Sequence, residues 1–142
     1  MSPPPVEGDA RRRDDTVVAE FEPHATAVRA ARRFVRANAG VDPQQGADLE
    51  LVTSELATNA VLHARTPFEV RVLAAPDCLR VEVTDRSPTL PVIKDHGTEA
   101  PTGRGLKILD AIADRWGVEP TDGGKVVWFE VDLTDPDLAE HR

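Results

Sequence analysis

In the stretch SELATNAVLHA, Ser54 to Ala64, Glu55 and Asn59 stand four residues apart within an otherwise apolar helical pattern. At that spacing two side chains lie one above the other, so a carboxylate and a carboxamide face one place. Such pairs are ordinary on a solvated helix face. The chemistry they could do is oxygen ligation and proton transfer. A carboxamide oxygen suits a hard cation such as Mg²⁺, which usually keeps waters and substrate phosphates as its other ligands, and a nearby Glu accepts a proton from a nucleophile.

Two further features bear on the same chemistry. Asp85 ends the run VEVTDRSP, where it is either a turn former, as Ser87-Pro88 favours, or an acceptor at a sheet rim for an exocyclic amine. Gly103 and Gly105 in TGRGLKILDA stand at a loop-to-helix entrance, where close backbone approach and exposed N–H groups can hold an anion, although such turns often need glycine for their own sake. This is not a Walker loop: no GK[ST] follows, and Ile108 takes the third glycine position of GxGxxG. His63 and His96 lack the partners that catalysis needs, and Cys78 reads as a small hydrophobe. Trp116 and Trp128 read as core.

The elements that must position these residues follow from periodicity. Thr16 to Glu22 reads as an edge strand, and His24 to Asn38 as an amphipathic helix closed by Gly40. A second helix runs from about Gly46 to about His63, with Leu49, Val52, Leu56 and Ala60 on one stripe, and stops before Pro67. Glu55 and Asn59 sit at the border of that stripe, where a helix edges a cleft. Phe68 to Ala75 and Cys78 to Asp85 alternate with period two and form an antiparallel hairpin across Pro76-Asp77. Arg86 to Thr102 is a long proline-rich loop, Gly103 to Trp116 returns to helix, and Asp122 to Leu133 is a turn and a last strand.

This order, β-α-α-β-β-loop-α-β, lacks the alternation of a doubly wound sheet. It predicts an α/β (α+β) fold, a two-layer sandwich with a mixed, mostly antiparallel sheet and helices on one face. Residues 1–15 and 135–142 read as disordered tails around one domain at 16–134. At 142 residues a second full domain is not expected. The net charge of −8 and the acidic isoelectric point disfavour nucleic acid and anionic membranes. A lone cysteine, and no apolar run near ~20 residues or signal-peptide pattern, point to a soluble cytoplasmic protein.

Taken in order, ELATNAVLHA, VEVTDRSP and TGRGLKILDAIADRWGV resemble the ATP-binding domain shared by histidine kinases and the gyrase and Hsp90 ATPases (the GHKL type), and most of all the stand-alone anti-sigma-factor serine/threonine kinases. The resemblance covers about Thr16 to Leu133. It implies ATP and Mg²⁺ as cofactors and a lid formed by the long loop. It implies Glu55 as general base, Asn59 as Mg²⁺ ligand, Asp85 as acceptor of the adenine amine, and Gly103, Arg104, Gly105 and Leu106 at the phosphates. Arg104 and Lys107 would add charge there, although a solvated helix start explains both equally well. The implied partner is an anti-sigma-factor antagonist whose serine is phosphorylated, with a sigma factor as a further partner, and kinases of this type are often homodimers. The alternative on the same fold is a non-catalytic module in which nucleotide gates partner binding. Two positions depart from the family pattern. Ser87-Pro88 follows Asp85 where Asp-x-Gly is common, and the last strand carries Val126 and Val127 where a threonine often helps the adenine site.

Overall fold

The computed structural model describes residues 15–87 and 101–133, with the backbone alone at 15 and over 101–106. Of the expected tails and the expected loop Arg86–Thr102, residues 1–14, 88–100 and 135–142 lie outside the described residues, while Asp15 already belongs to β1 and Pro101 and Thr102 to α3. The elements are β1 (Asp15–Phe21), α1 (Thr26–Ala39), α2 (Pro43–Asn59), a π turn (Ala60–Ala64), β2 (Phe68–Ala74), β3 (Cys78–Asp85), α3 (Pro101–Ile112), β4 (Arg115–Pro120) and β5 (Lys125–Asp132).

Helix α1 is amphipathic because Ala27, Ala31, Val35 and Ala39 recur every four residues and are all buried. Gly40 ends it in the left-handed region, φ 65°, which a residue without Cβ adopts at no steric cost. Helix α2 starts three residues earlier than periodicity predicts. Asp42 caps it by accepting from the Gln45 N–H at 2.8 Å, and Pro43 fills the first position, where no N–H is needed. Its stripe of Leu49, Val52, Leu56 and Ala57 packs inward, and after Asn59 the helix widens into the π turn before Arg65 closes it.

The sheet has the order β1-β2-β3-β5-β4, and every described pairing is antiparallel rather than mixed. The β2–β3 hairpin has the expected form, with alternation putting Phe68, Val70 and Val72 and then Leu79, Val81 and Val83 on the buried face. Val127, Phe129 and Val131 continue those rows on β5. Together with Leu109 of α3 they form one core with the helices. No helix among the described residues is long and apolar enough to cross a membrane.

One element differs in kind from the sequence expectation. The third helix was expected to run to Trp116, but it ends at Ile112, and Arg115–Pro120 is the edge strand β4. The run RWGVEP is short, half-exposed and carries Gly117 and Pro120, so neither periodicity marks it; pairing with β5 makes it a strand. Trp116 packs partly against the core and donates to Asp110 at 2.9 Å. Trp128, expected in the core, lies instead on the opposite face, where the Arg80 guanidinium sits 4.2 Å from its ring centroid.

That outer face is closed by paired charges. Arg80 bonds Glu82 at 2.8 Å and Glu130 at 2.9 Å, and Arg115 bonds Glu130 at 2.7 Å. These hydrogen bonds, Arg115 first and then Arg80, hold the Glu130 carboxyl below its ordinary range. Burial pushes the half-buried Cys78 thiol up, which disfavours the reactive thiolate. The lowered Glu130 group stabilises the fold fully above the ordinary carboxylate range and loses that contribution as pH falls through its folded-state value. Arg115→Ala should therefore lower the thermal midpoint more at pH 7 than at pH 3, as followed by circular dichroism, with a modest effect because the pairs are partly solvated. A second outcome concerns Gly124, where an added Cβ would run into the Asp85 carbonyl and the Arg86 Cα. Gly124→Ala should cost about 1–3 kcal/mol in urea unfolding, as overpacking at a closed strand pair does.

Candidate functional site

Glu55 and Asn59 occupy the last two turns of α2, both half-buried, at the edge of the stripe that carries Leu56 and Ala60 into the core. Asn59 is the last α-helical residue before the π turn, a local widening that frequently accompanies functional sites. Its Oδ1 is buried and accepts no hydrogen bond among the described residues. A buried carboxamide oxygen without a donor costs free energy that a ligand can recover. A cation in place of the missing donor would satisfy it, and an oxygen donor is the type that Mg²⁺ takes. Among the described residues no three His, Cys, Asp or Glu side chains converge on a metal site. A divalent ion at Asn59 would therefore complete its shell with waters and phosphate oxygens.

Asp85 is the final residue of β3, on the helix-covered face, and only 7% exposed. Antiparallel register sets it directly opposite Lys125, the first residue of β5, which is 8% exposed. The Lys125 ammonium lies 3.1 Å from Oδ1 and 2.9 Å from Oδ2, and Oδ1 also accepts from the Ser87 N–H at 2.9 Å. The Ser87 contact closes an Asx turn, so the turn-forming role of Asp85 is present in the structure. Phe68 on β2 is the other cross-strand neighbour of Asp85.

Lys125 is the residue that sequence reasoning missed. The family pattern puts Val126 and Val127 in the usual threonine region. The structure puts Val126 on the outer face opposite Thr84, Val127 in the core against Val83, and Lys125 on the inner face against Asp85. A signal existed: in KVVWFEVD the alternation that buries Val127, Phe129 and Val131 also requires position 125 to point inward, and a lysine there calls for a carboxylate partner.

The glycine-box residues lie on the first turns of α3, which begins at Pro101, so Gly103 and Gly105 fall inside the helix rather than ahead of it. The side chains of Arg104 and Leu106 are outside the described residues. Lys107 is exposed on the same helix. His63 is exposed on the π turn, and His96 is outside the described residues.

Glu55 and Asn59 are thus brought together by one helix, and Asp85 and Lys125 by one strand pair. Both pairs border the single core that contains Leu56, Ala60, Phe68 and Val83.

The domain has known counterparts. A family model described as a histidine kinase-like ATPase domain matches residues 19–131. An uncharacterized protein of Streptomyces coelicolor, SCO4941, is 41% identical over 68 residues, which make up 46% of this chain and 65% of that protein. The crystal structure of the RsbU and RsbW domains of Rv1364c from Mycobacterium tuberculosis aligns with a TM-score of 0.61 over 85% of this chain, at 22% identity, and shares its fold. The chain spans 33% of that mycobacterial chain and less than two thirds of the Streptomyces protein. With a matched region running from within β1 to within β5, the chain belongs to the histidine kinase-like ATPase domain family.

Proposed function

We propose that this protein is a cytoplasmic ATP- and Mg²⁺-dependent serine/threonine kinase of the anti-sigma-factor type, acting on a small antagonist protein. The observation that carries the reading is the buried Oδ1 of Asn59, without a partner among the described residues and one helical turn from Glu55, on the helix where the family resemblance puts a metal ligand and a base.

In this reading Asn59 Oδ1 holds Mg²⁺, and Asp85 accepts from the exocyclic amine of the base. The first turns of α3 present backbone N–H groups toward the phosphates, where a helix start favours anions. Glu55 takes the proton of the substrate serine hydroxyl as its oxygen bonds the γ-phosphorus and the bond to the bridging oxygen breaks, releasing ADP. Mg²⁺, when bound, neutralises the charge on the phosphate oxygens. Binding a sigma factor and forming a homodimer belong to the same reading by family analogy alone.

Asn59→Ala should abolish the rise in thermal midpoint that millimolar Mg-ATP gives the wild type, since a ligand that prefers the native state must stabilise it. An unchanged rise sinks the metal-site assignment. Glu55→Gln should keep Mg-ATP binding by calorimetry while losing about 10²–10⁴-fold in phosphate transfer to an antagonist protein, the range typical of removing a general base. Wild-type protein that binds Mg-ATP and gates partner affinity without transferring phosphate would instead be a nucleotide-gated binding module.

A further inference from the structure

At the end of the sheet where the base would sit, the inner face carries a cation as well as a carboxylate. Both groups are built into the fold rather than solvated: the side chains of Lys125 and Asp85 are 10% and 7% exposed, and the register pairs them directly. We infer that Lys125 is a second base-reading residue, and that with Asp85 it makes the site accept 6-oxopurine nucleotides, such as GTP, alongside 6-aminopurine nucleotides. The inference rests on the nucleotide site proposed above.

The donor and acceptor inventory supports it. An ammonium has three N–H donors, and the two contacts to Asp85 engage at most two of them. A carboxylate has about four acceptor sites, and its contacts with Lys125 and Ser87 engage three. The pair therefore retains a donor beside an acceptor, on atoms 2.9 Å apart.

A lone carboxylate is acceptor-only. It welcomes the N6 amine of adenine and repels the O6 carbonyl of guanine, leaving two acceptors face to face. With the ammonium alongside, the edge of either base finds partners. For adenine, N6–H donates to Asp85 and N1 accepts from Lys125. For guanine, O6 accepts from Lys125 and N1–H donates to Asp85. Val127, the next inward residue of β5, is apolar and offers neither group.

The test is calorimetric titration of Mg-ATP and Mg-GTP into wild type, Lys125→Met and Lys125→Arg, with thermal midpoints recorded for each. Wild type should bind the two nucleotides within about tenfold of one another. Lys125→Met should weaken GTP at least tenfold more than ATP, and Lys125→Arg, which keeps a cationic donor, should restore GTP. Should Lys125→Met fail to fold, the wild-type ratio still decides. Wild type that binds ATP and rejects GTP more than about 100-fold overturns the inference while leaving the nucleotide site standing. An equal loss of both nucleotides in Lys125→Met makes Lys125 structural and overturns it as well. Wild type that binds neither nucleotide overturns the site and this inference together.

Discussion

The register of β3 against β5 is the constraint on which the rest of the structure depends. In that one alignment Leu79 meets Val131, Val81 meets Phe129 and Val83 meets Val127, so three apolar rows face the helices, and the next row places Asp85 against Lys125. A slip of β5 by one residue would turn Val127, Phe129 and Val131 to the outer face and bring Trp128 and Glu130 under the helices. The charged row is tolerable only because it closes on itself. A buried carboxylate or ammonium alone would cost several kcal/mol, and removing one partner of such a pair costs roughly 3–5 kcal/mol. Gly124 belongs to the same arrangement, because β5 approaches Asp85 and Arg86 too closely there for any Cβ.

The two faces of the sheet solve the charge problem in opposite ways. On the outer face, Arg80, Glu82, Glu130 and Arg115 are half-solvated and form a chain of pairs in which loss of one contact leaves water as a substitute. On the inner face no such substitute exists. The polar groups there are few: Thr53 lies fully buried on α2, and the others stand at the border of the core, Asp85 and Lys125 at the strand ends and Glu55 and Asn59 at the helix end. Of the groups at this border, the Asn59 carboxamide oxygen is the one left without a donor among the described residues, whereas Asp85 and Lys125 neutralise each other's charge.

How much of this was legible in the sequence follows from which residues carry local signals. Helix α1, helix α2 and the β2–β3 hairpin were legible because Ala27, Ala31 and Val35, then Leu49, Val52 and Leu56, then Val70, Val72, Val81 and Val83 keep their periods without interruption. Strand β4 was not, because Arg115 to Pro120 has no alternation of its own and owes its conformation to β5. Glu55, Asn59 and Asp85 were legible as polar residues placed against an apolar pattern. Lys125 was harder to read, since a lysine at a strand start is ordinary until the strand across from it is known. Trp128 misled for a related reason: an aromatic residue predicts burial of its ring, and Arg80 supplies that cover from the solvent side.

The fold's polar exceptions also separate positions held by stability from positions that stability does not explain. Asp85 and Lys125 have a structural account that needs no ligand, since each neutralises the other and Ser87 completes the turn. Burial of an ion pair is nonetheless poor evidence of stabilisation, because two apolar side chains of similar volume often serve as well or better. A valine pair in that row would merely extend the ladder of Val83 and Val127, and its replacement by charges gives that end of the sheet hydrogen-bonding capacity that a purely packed end would lack. Asn59 has no structural account at all among the described residues, and its unpaired oxygen is a cost the fold carries. Both departures from the packing rule, one on the helix and one on the sheet, stand at the border of the same core, where local consistency is given up at positions that packing alone does not require.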